Sequence, residues 1–298
     1  MKSPILFLIF YRLEETRRVF EVIRRATPPR LYIASDGPSD SRPWEEAAVL
    51  AVRNFVMNHI DWDCDVKTLF REKNLGCKYA VSGGISWFFE NEEMGIILED
   101  DCLPHPSFFN FCEELLEMYR HDERIGIISG DNFQFSRRRT QDSYYFSRYA
   151  HIWGWASWRR VWKYYDVDLK LWPSIKNDNW LYDSLQNETA VKYWESIFND
   201  VFSNKIDTWD YQLNFACWLN SMINIIPAIN MISNIGFGAN ASRTTRKNKL
   251  SELPVNEMEF PLHHPPMMVR DSRADTLTER NQFRKASLIN RISKSIIR

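Results

Sequence analysis

Residues 95–104 read Gly-Ile-Ile-Leu-Glu-Asp-Asp-Cys-Leu-Pro. The apolar run Ile96–Leu98 passes directly into Glu99, Asp100 and Asp101, and Pro104 follows. A short run that is apolar on both faces suits a strand buried within a parallel sheet. Three adjacent carboxylates at its end repel one another, which costs several kcal/mol in poorly solvated surroundings unless a cation balances them. A hard divalent cation takes oxygen ligands, shares its shell with phosphates and needs only one or two protein carboxylates. The plainer alternative is a solvated acidic turn.

The residues upstream alternate strand and helix. Ile5–Phe10 is an apolar run, and Glu14–Arg25 sets Val19, Phe20, Val22 and Ile23 among charges as a helix does. Leu31–Ala34 is a second strand closed by the turn-forming Ser-Asp-Gly-Pro. Trp44–Asn58 reads as a helix, Asp65–Phe70 as a strand and Lys78–Asn91 as an amphipathic helix. This alternation predicts an α/β fold with a mostly parallel sheet covered by helices. Ligands of such sheets bind beyond the carboxyl ends of the strands. Here that rule selects Phe10–Arg12, Ser35–Pro38 and Glu99–Asp101.

Further on, a helix is expected from Pro106 to about Tyr119, and Ile125–Ile128 is another apolar run, ending in Ser-Gly-Asp-Asn. Phe133–Asp168 is aromatic and basic without a steady period. A helix is expected over Trp209–Trp218. Residues 225–238 read as extended segments ending in a Gly-rich loop, and Leu250–Asp275 as mostly loop.

Bulk composition sets outer bounds. The chain has 298 residues, 44% hydrophobic and 26% charged, as expected of a soluble globular protein. A formal net charge of -1 argues against bulk nucleic-acid binding, which needs a basic surface. Twelve Trp, twelve Tyr and nineteen Phe can pack a core and can also line a sugar-sized cleft. Cys64, Cys77, Cys102, Cys112 and Cys217 form no C-x-x-C pair, so reduced thiols of a cytoplasmic protein are expected. The apolar run near Met1 is too short for a signal peptide or a membrane span. In Asn281–Arg298 there is no acidic residue, and Leu288, Ile289, Ile292, Ile296 and Ile297 recur at roughly helical spacing. Such a tail packs on its own domain or rests on the inner face of a membrane.

The order strand, Glu-Asp-Asp, Leu-Pro-His-Pro-Ser-Phe-Phe and helix has two further companions. Ser-Asp-Gly follows the second strand, and residues 74–89 (NLGCKYAVSGGISWFF) precede the acidic one. Together they resemble nucleotide-sugar-dependent glycosyltransferases of the GT-A fold, of the N-acetylglucosaminyltransferase I type and of bacterial surface-polysaccharide transferases. The resemblance covers roughly residues 3–270 and is most specific over 74–111. It implies a Rossmann-like donor half over 1–130, an aromatic-rich acceptor and catalytic half over 131–275, and a basic tail over 276–298.

It further implies that Asp101 holds Mn²⁺ or Mg²⁺ on the donor's diphosphate, with Asp100 or Glu99 near the ribose or sugar. Asp36 would meet the nucleobase, the backbone around Phe10, Tyr11 and Arg12 would cradle it, and Arg71, Asn74 and Lys78 would contact base or phosphate. Asp36 alone is equally a turn residue. Inverting transfer needs a carboxylate base, and family position selects Asp210; helix capping explains Asp207 and would also explain Asp210. Trp155 and Gly154 are acceptor-side candidates, with Trp153 and Trp158 as further flat faces. Where similar enzymes carry a late-loop His, Arg243 stands here; it can grip phosphate but cannot ligate a metal, and His264 is another candidate. The expected partners are a nucleotide-diphosphate sugar, a UDP-sugar first, and a glycan or lipid-linked acceptor. Two other readings are a non-catalytic nucleotide- or glycan-binding relative and a nucleotidyltransferase. The latter should carry a Gly-rich basic loop after its first strand, where residues 10–16 read FYRLEET.

Overall fold

The computed structural model describes residues 1–237, 250 and 253–283. Along the first half run β1 (Ile5–Ile9), α1 (Leu13–Ala26), β2 (Arg30–Ser35), α2 (Trp44–Asn58), β3 (Asp65–Phe70), α3 (Gly76–Asn91), β4 (Met94–Glu99), β5 (Cys102–Pro104), α4 (Ser107–Met118) and β6 (Ile125–Ser129). There follow β7 (Tyr144–Ser147), β8 (Trp155–Trp158), the short α5 (Arg159–Trp162), α6 (Trp172–Ile175) and α7 (Trp180–Leu185), then α8 (Glu188–Phe202), α9 (Asp210–Leu219), β9 (Ile223–Pro227), β10 (Ile232–Asn234) and α10 (Ser272–Thr278).

The fold is α/β, with one large, mostly parallel sheet flanked by helices. Its strand order is β3-β2-β1-β4-β8-β6-β9-β7. β1 pairs in parallel with β2 and β4, and β2 with β3. Two strands run against the parallel majority: β8 enters antiparallel between β4 and β6, and β7 lies antiparallel on β9. β8 is Trp-Ala-Ser-Trp and buried along its whole length, so it shows no alternation that would announce a strand. The helices of residues 172–202 were likewise not anticipated.

β1 is buried at every position: α3 packs against it, with Gly84 close to Leu8, and α1 adds Val19, Phe20 and Ile23, which recur at helical spacing, to the same core. Burying each such side chain contributes about 1.5–3 kcal/mol. One apolar cluster runs from Ile5 of β1 to Trp218 of α9, so both halves of the sequence share a core. Within it Trp155 is 1% exposed and stacks on Trp209, ring centroids 5.9 Å apart.

A small ribbon carries the late loop to the acidic turn. β10 pairs antiparallel with β5, Asn234 opposite Cys102, and the Ile235 N–H donates to the Asp101 carbonyl at 2.8 Å. Among the described residues the five cysteines are free thiols, and no helix is long and apolar enough to cross a membrane. The apolar positions expected between 288 and 297 lie outside the described residues.

Candidate functional site

A cleft of about 490 Å³ opens at the carboxyl ends of β1, β2 and β4, where parallel sheets place their ligands. The carboxylates of the acidic turn reach it, and the cation that balances them is Arg12. Its guanidinium forks: Nη2 hydrogen-bonds Asp100, and Nη1 lies 2.8 Å from Asp101 Oδ2. Arg12 precedes α1, and its carbonyl accepts the Thr16 N–H at 2.9 Å and the Thr16 hydroxyl at 2.6 Å, which fixes the backbone behind the fork. The Arg12 side chain is thus committed to the two aspartates; the base cradle expected of Phe10–Arg12 is a main-chain role, and these residues line the cleft. Gly236 lies on the same knot; a Cβ there would meet Asp101 Oδ2 at 2.1 Å and Arg12 Nη1 at 2.5 Å.

Asp100 is 2% exposed and also accepts the Phe10 N–H at 3.1 Å. Burial pushes its carboxyl up to about 6; Arg12 pulls it down and the Asp101 charge pushes it further up. Arg12 itself is held well above the usual guanidinium value by the two carboxylates, against the opposing effect of burial. Asp101 keeps more contact with the cleft, its side chain 14% exposed.

The other donor-side candidates divide. Arg71 lines the cleft, half-buried, and makes no ion pair among the described residues; burial lowers its pKa, against the pull of Asp36. Tyr11 lines it too, edge-on to Trp44 at 5.2 Å, and so does Glu99. Asn74 reaches the cleft while donating to the Gly37 carbonyl at 2.8 Å. Asp36 is spent on the backbone: its carboxylate accepts the N–H groups of Gly37, Leu75 and Gly76 at 2.9–3.1 Å, and burial raises its pKa against those bonds. It ties the end of β2 to the entry of α3. Lys78 is turned away and buried, with Nζ 3.0 Å from Asp168 and 2.7 Å from Asn204.

Asp210 stands in the first turn of α9 on the cleft wall and receives a hydrogen bond from the Thr208 hydroxyl. Asp207 caps a helix, though a different one from that expected: its carboxylate accepts the Cys77 and Lys78 N–H groups at 2.9 and 2.7 Å, at the start of α3. Gly76 permits this by adopting φ +75°, in the left-handed region open to glycine.

A second cavity, of about 360 Å³, shares Ile152, Trp153 and Asp210 with the cleft. Its floor carries Asp131 and His151, 0% and 3% exposed, with His151 Nδ1 3.5 Å from Asp131 Oδ1. Among the described residues, neither carboxylate oxygen and neither ring nitrogen completes a hydrogen bond of good geometry. Burial raises the Asp131 pKa, while the nearby imidazole and backbone amides favour its charged form. Buried polar atoms in this state are uncommon and point to a ligand. Sequence reasoning missed both residues, although Asp131 follows the apolar run of β6 and the strand-end rule would have selected it.

Of the acceptor-side candidates, Trp155 is inside the core, and Trp153 is the tryptophan that faces both cavities. Gly154 takes φ +63° and lies against Ile232, where a Cβ would come within 2.6 Å. His264 is corrected as a metal or phosphate candidate: it bonds Tyr144 at 3.1 Å and pairs with Glu114 at 3.2 Å. Arg243 lies outside the described residues.

No family model matches the chain, and no curated protein matches it. Solved structures similar to it include S. aureus TarS 1-349, with a TM-score of 0.42 at 9% identity over 77% of this chain. Others are HddC from Yersinia pseudotuberculosis (TM-score 0.34, 9% identity, 57% of this chain and 85% of that one) and a UDP-glucose pyrophosphorylase in complex with UDP-glucose (0.27, 15%, 49% and 62%). The chain spans 59% of the length of the TarS chain. Overlaps this shallow leave the chemistry of the cleft to its own residues.

Proposed function

We propose that the chain is an inverting glycosyltransferase of the GT-A type, moving a sugar from a nucleoside-diphosphate sugar to a hydroxyl of a glycan or lipid-linked acceptor. The observation that carries this reading is the place of Asp210: one carboxylate on the wall common to two adjoining cavities, the larger suited to a donor and the smaller, with Asp131, His151 and Trp153, to a sugar. Asp210 accepts the proton of the acceptor hydroxyl while the acceptor oxygen bonds to the anomeric carbon. The anomeric carbon–oxygen bond to the diphosphate breaks on the opposite face, and its electron pair leaves on the diphosphate oxygen. The Thr208 hydroxyl holds Asp210 Oδ1, which orients Oδ2 to take the proton. Arg71 stands ready for a phosphate oxygen, since a half-buried guanidinium without a carboxylate is suited to bind one.

The donor set fits a divalent cation held by a single carboxylate and completed by phosphate oxygens. Asp101 is the residue that would hold it, in exchange for its contact with Arg12, which would keep its pairing with Asp100. Such a cation would offset negative charge on the departing diphosphate. Arg12 already bridges Asp100 and Asp101, so the closeness of these two carboxylates does not require a metal.

Thermal shift with UDP, GDP, dTDP and CMP, each with and without Mn²⁺, tests the reading on wild type and Asp101→Ala. A nucleotide at a hundred times its Kd should stabilise the fold by about 2.7 kcal/mol. One nucleoside diphosphate acting with Mn²⁺ and losing that effect in Asp101→Ala is the expected result. Equal stabilisation without Mn²⁺ removes the metal from the scheme, and no stabilisation by any nucleotide overturns the donor reading.

A further inference from the structure

Away from both cavities, a groove of about 440 Å³ lies between residues 137–139, the end of α7 and α10. Six arginines line it: Arg137, Arg139, Arg148, Arg270, Arg273 and Arg280. The whole chain has a net charge of -1, so this is a strong local excess. Among the described residues, two buried carboxylates lie close to these guanidiniums, Asp275 at 0% exposure and Glu279 at 3%. Asp275 is shared, with Arg148 Nε and Arg270 Nε each 3.2 Å from its Oδ2, and it also accepts the Ser147 hydroxyl at 2.6 Å. Glu279 takes the Tyr149 hydroxyl at 3.3 Å. Arg139 hydrogen-bonds the neutral Gln134 side chain at 2.6 Å. Arg137, Arg273 and Arg280 are exposed at the rim and make no ion pair among the described residues. Burial, and after it the neighbouring Arg148 cation, disfavours the charge on Arg270.

We infer that this groove is a binding site for a ligand bearing two or more phosphate groups on a non-aromatic carrier, such as a phosphorylated sugar or polyol chain. Guanidinium groups match phosphate oxygens two at a time, and an inner pair with an outer trio spans more than one phosphate. The carrier follows from what the groove lacks. Its lining has no aromatic ring on which a base could stack, which disfavours a single-stranded nucleic acid. The groove is concave, with Arg148 8% exposed inside it, so a flat anionic bilayer would meet the rim alone. The groove is defined without reference to the cleft, and the inference stands apart from sugar transfer.

The test is calorimetric titration of the full chain with tripolyphosphate in 150 mM NaCl and saturating UDP, which keeps the probe from the cleft. The Arg137→Ser/Arg273→Ser/Arg280→Ser variant changes exposed side chains, and an unchanged Tm shows that it folds. Binding should weaken by about tenfold, the combined effect of three exposed charge contacts of a few tenths to 1 kcal/mol each. The Arg71→Ala variant should titrate as wild type does. Equal binding by wild type and the triple variant overturns the site, as does weakening in Arg71→Ala alone. Tighter binding of a single-stranded oligonucleotide, or binding of phosphatidylglycerol vesicles without binding of tripolyphosphate, overturns the ligand class.

Discussion

Asp210 and Asp131 face one cavity from different settings. Asp210 has a hydroxyl partner and a place on both cavity walls; Asp131 is buried with no hydrogen bond of good geometry among the described residues. Asp210→Asn removes the proposed base and keeps the shape, so turnover should fall by about 10²–10⁴-fold while stabilisation by nucleotide persists; rates and thermal shift together read this out. For Asp131 the sign is set by burial. Its folded pKa is raised, so in the interval above the ordinary aspartate value the unfolded chain has lost a proton that the folded one retains. Stability from this group is full below that interval and falls as pH rises through it. Asp131→Asn should flatten the fall in Tm as pH rises above the ordinary aspartate range and weaken acceptor binding. An unchanged pH profile would mean that Asp131 is satisfied by some other route.

At the scale of elements, Arg12 ties the start of α1 to the end of β4 beneath Gly236. Removing one member of a buried ion pair leaves the others uncompensated, so Arg12→Ala should cost about 3–5 kcal/mol in urea unfolding, and adding Asp100→Asn should restore part of it. Here the limits of sequence reading are physical. β1 to β4 and α1 to α4 were legible because periodicity and turn residues are local, and the strand-end rule then placed the acidic turn in a cleft. Arg12 was read as a backbone cradle because nothing in Phe-Tyr-Arg shows that its side chain meets residues 100 and 101. Asp207 shows the same limit: its type announced a cap, but the helix it caps begins 131 positions earlier, at Gly76. His151 and Asp131 become neighbours only when β8 and β6 pair, and β8 carries no period of its own.

Across the whole molecule, a single apolar cluster joins the halves. Calorimetry should therefore show one unfolding transition. Trp155→Ala opens a cavity where β8 meets α9 and should cost about 3–5 kcal/mol, lowering that transition without splitting it. Two transitions would show that the halves fold separately.

The insertion of β8 also bears on how the chain comes off the ribosome. β4 hydrogen-bonds β1 on one side, and its other edge is closed by residues 155–158. A nascent chain that ends before them presents an apolar, unpaired strand beside an acidic turn, an open template for any extended peptide nearby. Completion of the sheet thus waits for about sixty further residues after β4 has been made. A truncation near residue 130 is expected to be captured by chaperones or to aggregate, so that residues 1–130 do not make a portable module.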